Sequence, residues 1–161
     1  MKKFLSKLLI WIAMITCGCA AGEADAETVS MYDLRTAMEA ADESLPAMLN
    51  AGSGEAAAES NFSHISDMDY DSVDSYFVSD SEDGLADEIA VIAVKDAADV
   101  KAAKESLEEH RQDRRMLFEQ YEPEQVKRID DGIVFTSGRY AVLIICDNGQ
   151  AVRAAFEKTA G

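Results

Sequence analysis

At 161 residues, with 48% hydrophobic and 29% charged side chains, the chain is long enough for one domain with a core and too apolar for disorder along its whole length. Its 31 acidic residues against 15 lysines and arginines give a formal net charge of −16, which argues against nucleic acid as a partner and disfavours direct contact with anionic lipid head groups.

The N-terminus begins with a basic stretch, Lys2, Lys3 and Lys7, followed by the apolar run Leu8 to Thr16 (LLIWIAMIT). That run is too short to span a bilayer of about 30 Å, and the combination predicts a signal peptide over residues 1–18. Losing its three lysines takes the net charge from −16 to −19. The following residues, Thr16-Cys17-Gly18-Cys19, resemble the bacterial lipobox, in which a small residue precedes a cysteine that receives a diacylglycerol thioether. Gly18 fits the position before that cysteine, so Cys19 is the expected lipidation site. Thr16 stands where the lipobox usually has leucine, and Cys17 is the alternative acceptor, preceded by the larger Thr16. Ala24-Asp25-Ala26 has the form of an ordinary secretory cleavage site but lies far from the apolar run. Two acyl chains, at about 0.8 kcal/mol per buried CH₂, anchor durably where one chain does not. The expected location is therefore the extracytoplasmic face of the cell membrane, through palmitate-type lipid and without a transmembrane helix.

Ala20 to Thr28 (AAGEADAET) has the composition of a solvated tether, placed at residues 19–29, and a single domain is expected over 30–161. Met31, Leu34, Met38, Ala41, Leu45 and Met48 recur at helical spacing, with Ser30 as N-cap, Asp33 three residues on, and Pro46 bending or ending the helix early. Asn50 to Ser60 reads as a loop. Strands are expected at Phe62 to Ile65, Val73 to Ser79 and Glu88 to Lys95, the last apolar on both alternating faces and hence central in a sheet. Asp96 caps a second helix whose inner edge, Val100, Ala103, Leu107, Arg111, Arg114, Phe118 and Tyr121, is apolar except for two arginines. Pro123 opens a short third helix carrying Val126 and Ile129. A hairpin follows, Ile133 to Thr136 and Arg139 to Cys146 about Ser137-Gly138, and then a terminal helix with Val152, Ala155 and Phe156 on one face.

Strands and helices do not alternate strictly, which predicts the α+β class: a small antiparallel sheet with helices packed on one face. Over residues 30 to 158 the chain also resembles the DUF4358 family, small lipoproteins of Gram-positive bacteria without an assigned activity. The resemblance rests on Asp74 to Ser79 (DSYFVS), Ala86 to Lys95 (ADEIAVIAVK), Asp99-Val100, Phe118 to Glu124 (FEQYEPE) and the strand after Gly138. It implies a location and a fold, and no chemistry.

Motifs that carry chemistry do not form. No Gly-rich phosphate loop is present, and Gly52-Ser53-Gly54 lacks the spacing of a nucleophile elbow. Cys146, alone once Cys17 leaves with the leader and Cys19 carries lipid, is expected to be a buried thiol outside any disulfide. His110-Arg111-Gln-Asp-Arg114-Arg115 is the one basic cluster. Its ordinary reading is a helix face paired with Glu105, Glu108 and Glu109; the sharper one makes Arg111, Arg114 and Arg115 a grip for an acidic wall polymer or for the domain's own acidic loop. Asp67, Asp69 and Asp71 open like a calcium-binding EF-hand loop, yet Ser72 and Val78 stand where that loop needs Gly and Glu. The expected function is thus a non-catalytic binding or interaction module of the cell envelope, with an envelope protein or polymer as partner and no cofactor. A weak divalent-cation surface over the acidic segment 67–88 is the alternative.

Overall fold

The computed structural model describes residues 29–161. The signal peptide, Cys17, Cys19 and all but the last residue of the tether lie outside the described residues. In chain order the elements are α1 (Met31–Glu39), β1 (Met48–Gly52), α2 (Ala58–Phe62), β2 (Val73–Ser81), β3 (Glu88–Val94), α3 (Val100–Tyr121), α4 (Val126–Asp130), β4 (Ile133–Ser137), β5 (Tyr140–Ile145) and α5 (Gly149–Ala160). The strands form one antiparallel sheet in the order β1-β2-β3-β5-β4. Two-faced apolarity puts β3 at its centre, as expected, and every residue of β3 is buried.

The α+β class and the antiparallel sheet stand as read from the sequence, but helices cover both faces rather than one. Tyr76, Val78, Ala90, Ile92, Leu143 and Ile145 point toward Leu107 and Phe118 of α3 and Ile129 of α4. Their alternating neighbours Phe77, Ile89, Val91, Val142 and Ile144 point toward Leu34 and Met38 of α1 and Val152 and Phe156 of α5. A sheet apolar on both faces needs two covering layers, since a bare face would leave several large side chains in water at about 25 cal/mol per Å².

Local departures from the sequence reading have physical causes. α1 ends at Glu39, well before Pro46, because Asp42 accepts from Ser44 N (2.9 Å) and so offers the backbone a turn in place of another helical turn. Ser30 holds the N-cap position but makes no side-chain cap bond. Met48 belongs to β1, and the expected loop at 50–60 contains both the last three residues of that edge strand and the first three of α2. β1 is rich in residues that strands seldom use, and its pairing with β2 imposes its shape. Gly52 is required there, since a Cβ would meet the Tyr76 carbonyl oxygen at 2.9 Å. Phe62 to Ile65 is the end of α2 and a turn, not a strand; so short an apolar run has no decisive period. Phe62 packs edge-on against Tyr76, whose hydroxyl donates to Ala58 O (2.6 Å). The hairpin turn falls one residue later than expected, on Gly138-Arg139, with Gly138 at φ +54°.

The end of α1 is tied to the start of α5 by a single buried carboxylate. Asp42 accepts from Asn148 N (2.9 Å) and Asn148 Nδ2 (2.7 Å) as well as from Ser44. Burial alone would raise its pKa, but these hydrogen bonds outweigh burial and hold the carboxyl well below the usual range. Cys146 stands next to it, 9% exposed, its thiol pushed up to about 12 by burial and by the Asp42 carboxylate.

Replacing Asp42 by Ala is expected to cost about 2–3 kcal/mol in urea unfolding, because the Asn148 donors lose a charged acceptor. The sign with pH follows from the lowered pKa: the Asp42 contribution is complete above the unfolded carboxylate value near 3.9 and is lost as pH falls below it. Urea midpoints of the two proteins should therefore converge in strong acid. With Cys17 and Cys19 replaced by Ser, thiol titration should find one equivalent in denaturant and almost none in the native protein; rapid native labelling would contradict the buried placement.

Candidate functional site

The polar centre of the domain is built on Glu88, the first residue of β3. Its side chain is 0% exposed. Alternation along β3 sends it to the same face as Ala90, Ile92 and Val94, toward α3. Asp80 of β2 lies directly across in the ladder, so two carboxylates stand side by side, an arrangement that repels unless cations intervene.

Those cations come from α3. His110 Nε2 lies 2.9 and 3.1 Å from the two Glu88 oxygens and donates to the carboxylate. Arg114, one turn on, brings Nε to 2.8 Å from Glu88 Oε2 and Nη1 to 3.3 Å from Asp80 Oδ1. The Nε contact is an ion pair without the alignment of a hydrogen bond. Arg114 Nη2 also donates to Ala86 O (3.3 Å), and its guanidinium covers the Phe118 ring at 5.4 Å. The Asp80 carboxyl is pushed above its usual pKa, first by burial and then by Glu88, against the opposing pull of Arg114 and His110. Asp80 nevertheless keeps 42% of its side-chain surface in water, so the effect is softened by solvent.

The other two arginines of the cluster face α4. Arg111 Nη1 donates to Gly132 O (3.0 Å) and lies 3.5 Å from the carbonyls of Ile129 and Asp130, capping the carbonyl end of α4. Arg115 Nε pairs with Asp130 (2.8 Å) and Nη1 with Glu119 (3.3 Å). All three guanidinium groups therefore hold acceptors of the chain itself, and Arg114 grips the domain's own acidic Asp80. Glu105 and Glu108 pair instead with Lys101 and Lys104. Tyr121, placed by spacing on the inner edge, is 74% exposed.

Beside this cluster an open cleft runs between the end of α2 and the middle of α3. It is lined by His64 and His110, the two histidines of the chain, with Ser66, Asp67, Ser106, Glu109 and Asp113. Ser66 and Ser106 share a 2.7 Å hydrogen bond, and Ser106 Oγ donates to Asp67 Oδ1 (3.2 Å). Asp69 accepts from Asp71 N (3.0 Å) and so caps a 3₁₀ turn. Asp67 and Asp69 thus serve separate local tasks, and Asp71 contributes its backbone N–H to the second. Among the described residues no three His, Cys, Asp or Glu side chains converge as a metal site would require. In the sequence His110 belongs to a basic run, and its place against Glu88 follows only from how α3 is rotated on the sheet.

A family model for a domain of unknown function, DUF4358, matches residues 48–146. The chain belongs to the DUF4358 family. The matched stretch of the DUF4358 domain runs from β1 through Cys146 and contains Asp80, Glu88, His110 and Arg114, whereas α1 and α5 flank it. Comparison with curated proteins and with solved structures returns no match.

Removing one partner of a buried ion pair typically costs about 3–5 kcal/mol. Arg114→Met should approach that range, since it leaves Glu88 and Asp80 facing each other. Asp80→Asn should leave stability at neutral pH nearly unchanged or raise it, because this carboxylate gains less from Arg114 than it loses to burial and Glu88. Urea unfolding of the two variants checks the order.

Proposed function

We propose that this DUF4358 protein is a lipid-anchored lipoprotein of the extracytoplasmic membrane face, acting as a non-catalytic binding or interaction module of the cell envelope. The observation that carries the anchoring is the Gly18-Cys19 junction directly after a basic segment and a short apolar run. It is compatible with a domain in which no described helix is long and apolar enough to cross a membrane.

A binding role rather than a catalytic one is supported by how the polar side chains are spent. His110 is turned to Glu88, and the cleft serines bond to each other and to Asp67. No serine there is bonded to a histidine that could activate it. With a charge near −19 after processing, the partner is an envelope protein or polymer that tolerates or complements an acidic surface, and not a nucleic acid.

Cys19→Ser should move the protein from the membrane fraction to the medium or leave it unprocessed, with the mass of the lipid missing. Unchanged partition and unchanged mass would refute the anchor. A native-state ligand raises the thermal midpoint, so a saturable rise with wall polymer or an envelope extract supports the binding role. Turnover of a substrate abolished by His110→Gln would refute the non-catalytic reading.

A further inference from the structure

Four charged or titratable side chains meet where α3 crosses β2 and β3, and two of them are carboxylates placed opposite each other in the ladder. β2 contributes Asp80, β3 contributes Glu88, and α3 contributes His110 and Arg114. The remaining strand neighbours bring no charge: Leu49 of β1 stands opposite Asp80 and Ile145 of β5 opposite Glu88. Asp87 is turned to Arg128 of α4. Two carboxylates share the Arg114 guanidinium, and one of them, Glu88, has no access to water. Like charges so placed repel, and one bound proton on Asp80 removes the repulsion.

We propose that Asp80, Glu88, His110 and Arg114 form a proton-linked latch, in which uptake of one proton by the cluster tightens α3 against the β2–β3 part of the sheet in mild acid. The proton goes to Asp80, the carboxylate of the cluster that keeps contact with water. There it leaves Arg114 to Glu88 alone. The upward displacement of the Asp80 carboxyl, caused by burial and by Glu88, has the sign this requires. A folded-state pKa above the unfolded one means that the native protein binds more protons, so stability rises as pH falls toward the unfolded value near 3.9. This is opposite in sign to Asp42, whose contribution disappears below that value. His110 also forms part of the cleft wall, so the latch and the cleft share a side chain.

The test is urea unfolding of the protein from about pH 8 to about pH 4.5, compared with Asp80→Asn and with Glu43→Gln, an exposed carboxylate away from the cluster. One proton taken up on folding changes the folding constant by at most about tenfold per pH unit. The wild type is expected to gain stability on acidification with a slope that Asp80→Asn reduces and Glu43→Gln keeps. Asp87 is present in all three proteins and cancels in the comparison. An undiminished slope in Asp80→Asn would overturn the latch, and so would an equal reduction in both variants, which would assign the effect to overall charge. Carboxyl-carbon NMR of the folded wild type gives a second reading that needs no variant: the Asp80 signal should titrate above the ordinary aspartate midpoint, and titration at or below it would also overturn the proposal.

Discussion

A carboxylate with no access to water, at the head of the central strand, constrains nearly everything on one side of this sheet. Glu88 sits opposite Asp80 on the neighbouring strand, so the layer above must deliver cations to that spot. α3 does so with His110 and Arg114, four residues apart and therefore on one stripe. Once these two are seated, the rotation of the helix is decided. Leu107 and Phe118 fall into the core along the same stripe, and Arg111 and Arg115 fall over α4, whose carbonyl end and Asp130 they hold. Turning α3 by one residue, about 100°, would take Arg114 from Glu88 and Arg111 from α4 together. The charged contacts thus specify an orientation that the apolar contacts alone would leave looser.

Much of this is legible in the residues. β2, β3 and the β4–β5 hairpin were found where runs of β-branched and aromatic residues lie between turn residues. β1 and α2 were hidden because Asn, Gly, Ser and Ala dominate that stretch, and their structure comes from pairing with β2 and from Phe62 packing on Tyr76 rather than from local preference. A strand apolar on both alternating faces cannot be served by one helical layer, so β3 itself requires the second cover that α1 and α5 supply. Two arginines within an otherwise apolar helix stripe are another clue. Arg114 marks a buried counter-charge, and Glu88 is the one ionisable residue of β3, whereas Arg111 marks the carbonyl end of α4. What no single segment could reveal is that His110, and not Arg111, shares that carboxylate with Arg114, since it depends on the rotation of a helix against a sheet.

The two layers are joined to the sheet by different physics. On the α3 side the joint mixes apolar packing with an ion cluster in which two carboxylates face each other. On the α1–α5 side it is apolar packing, including the edge-on contact of Phe135 with Phe156, closed by Asp42 accepting from Ser44 and Asn148. Asp42 reaches from the segment before the family match to the segment after it, and in doing so it ties together the helices that cover the second face of the matched strands. Without α1 and α5 the side chains of Phe77, Ile89, Val91, Val142 and Ile144 would form an exposed apolar face on the strands that define the family. The flanks are therefore part of the folding unit, and the single buried carboxylate that binds them to each other responds to acid in the opposite sense to the cluster on the far side of the sheet.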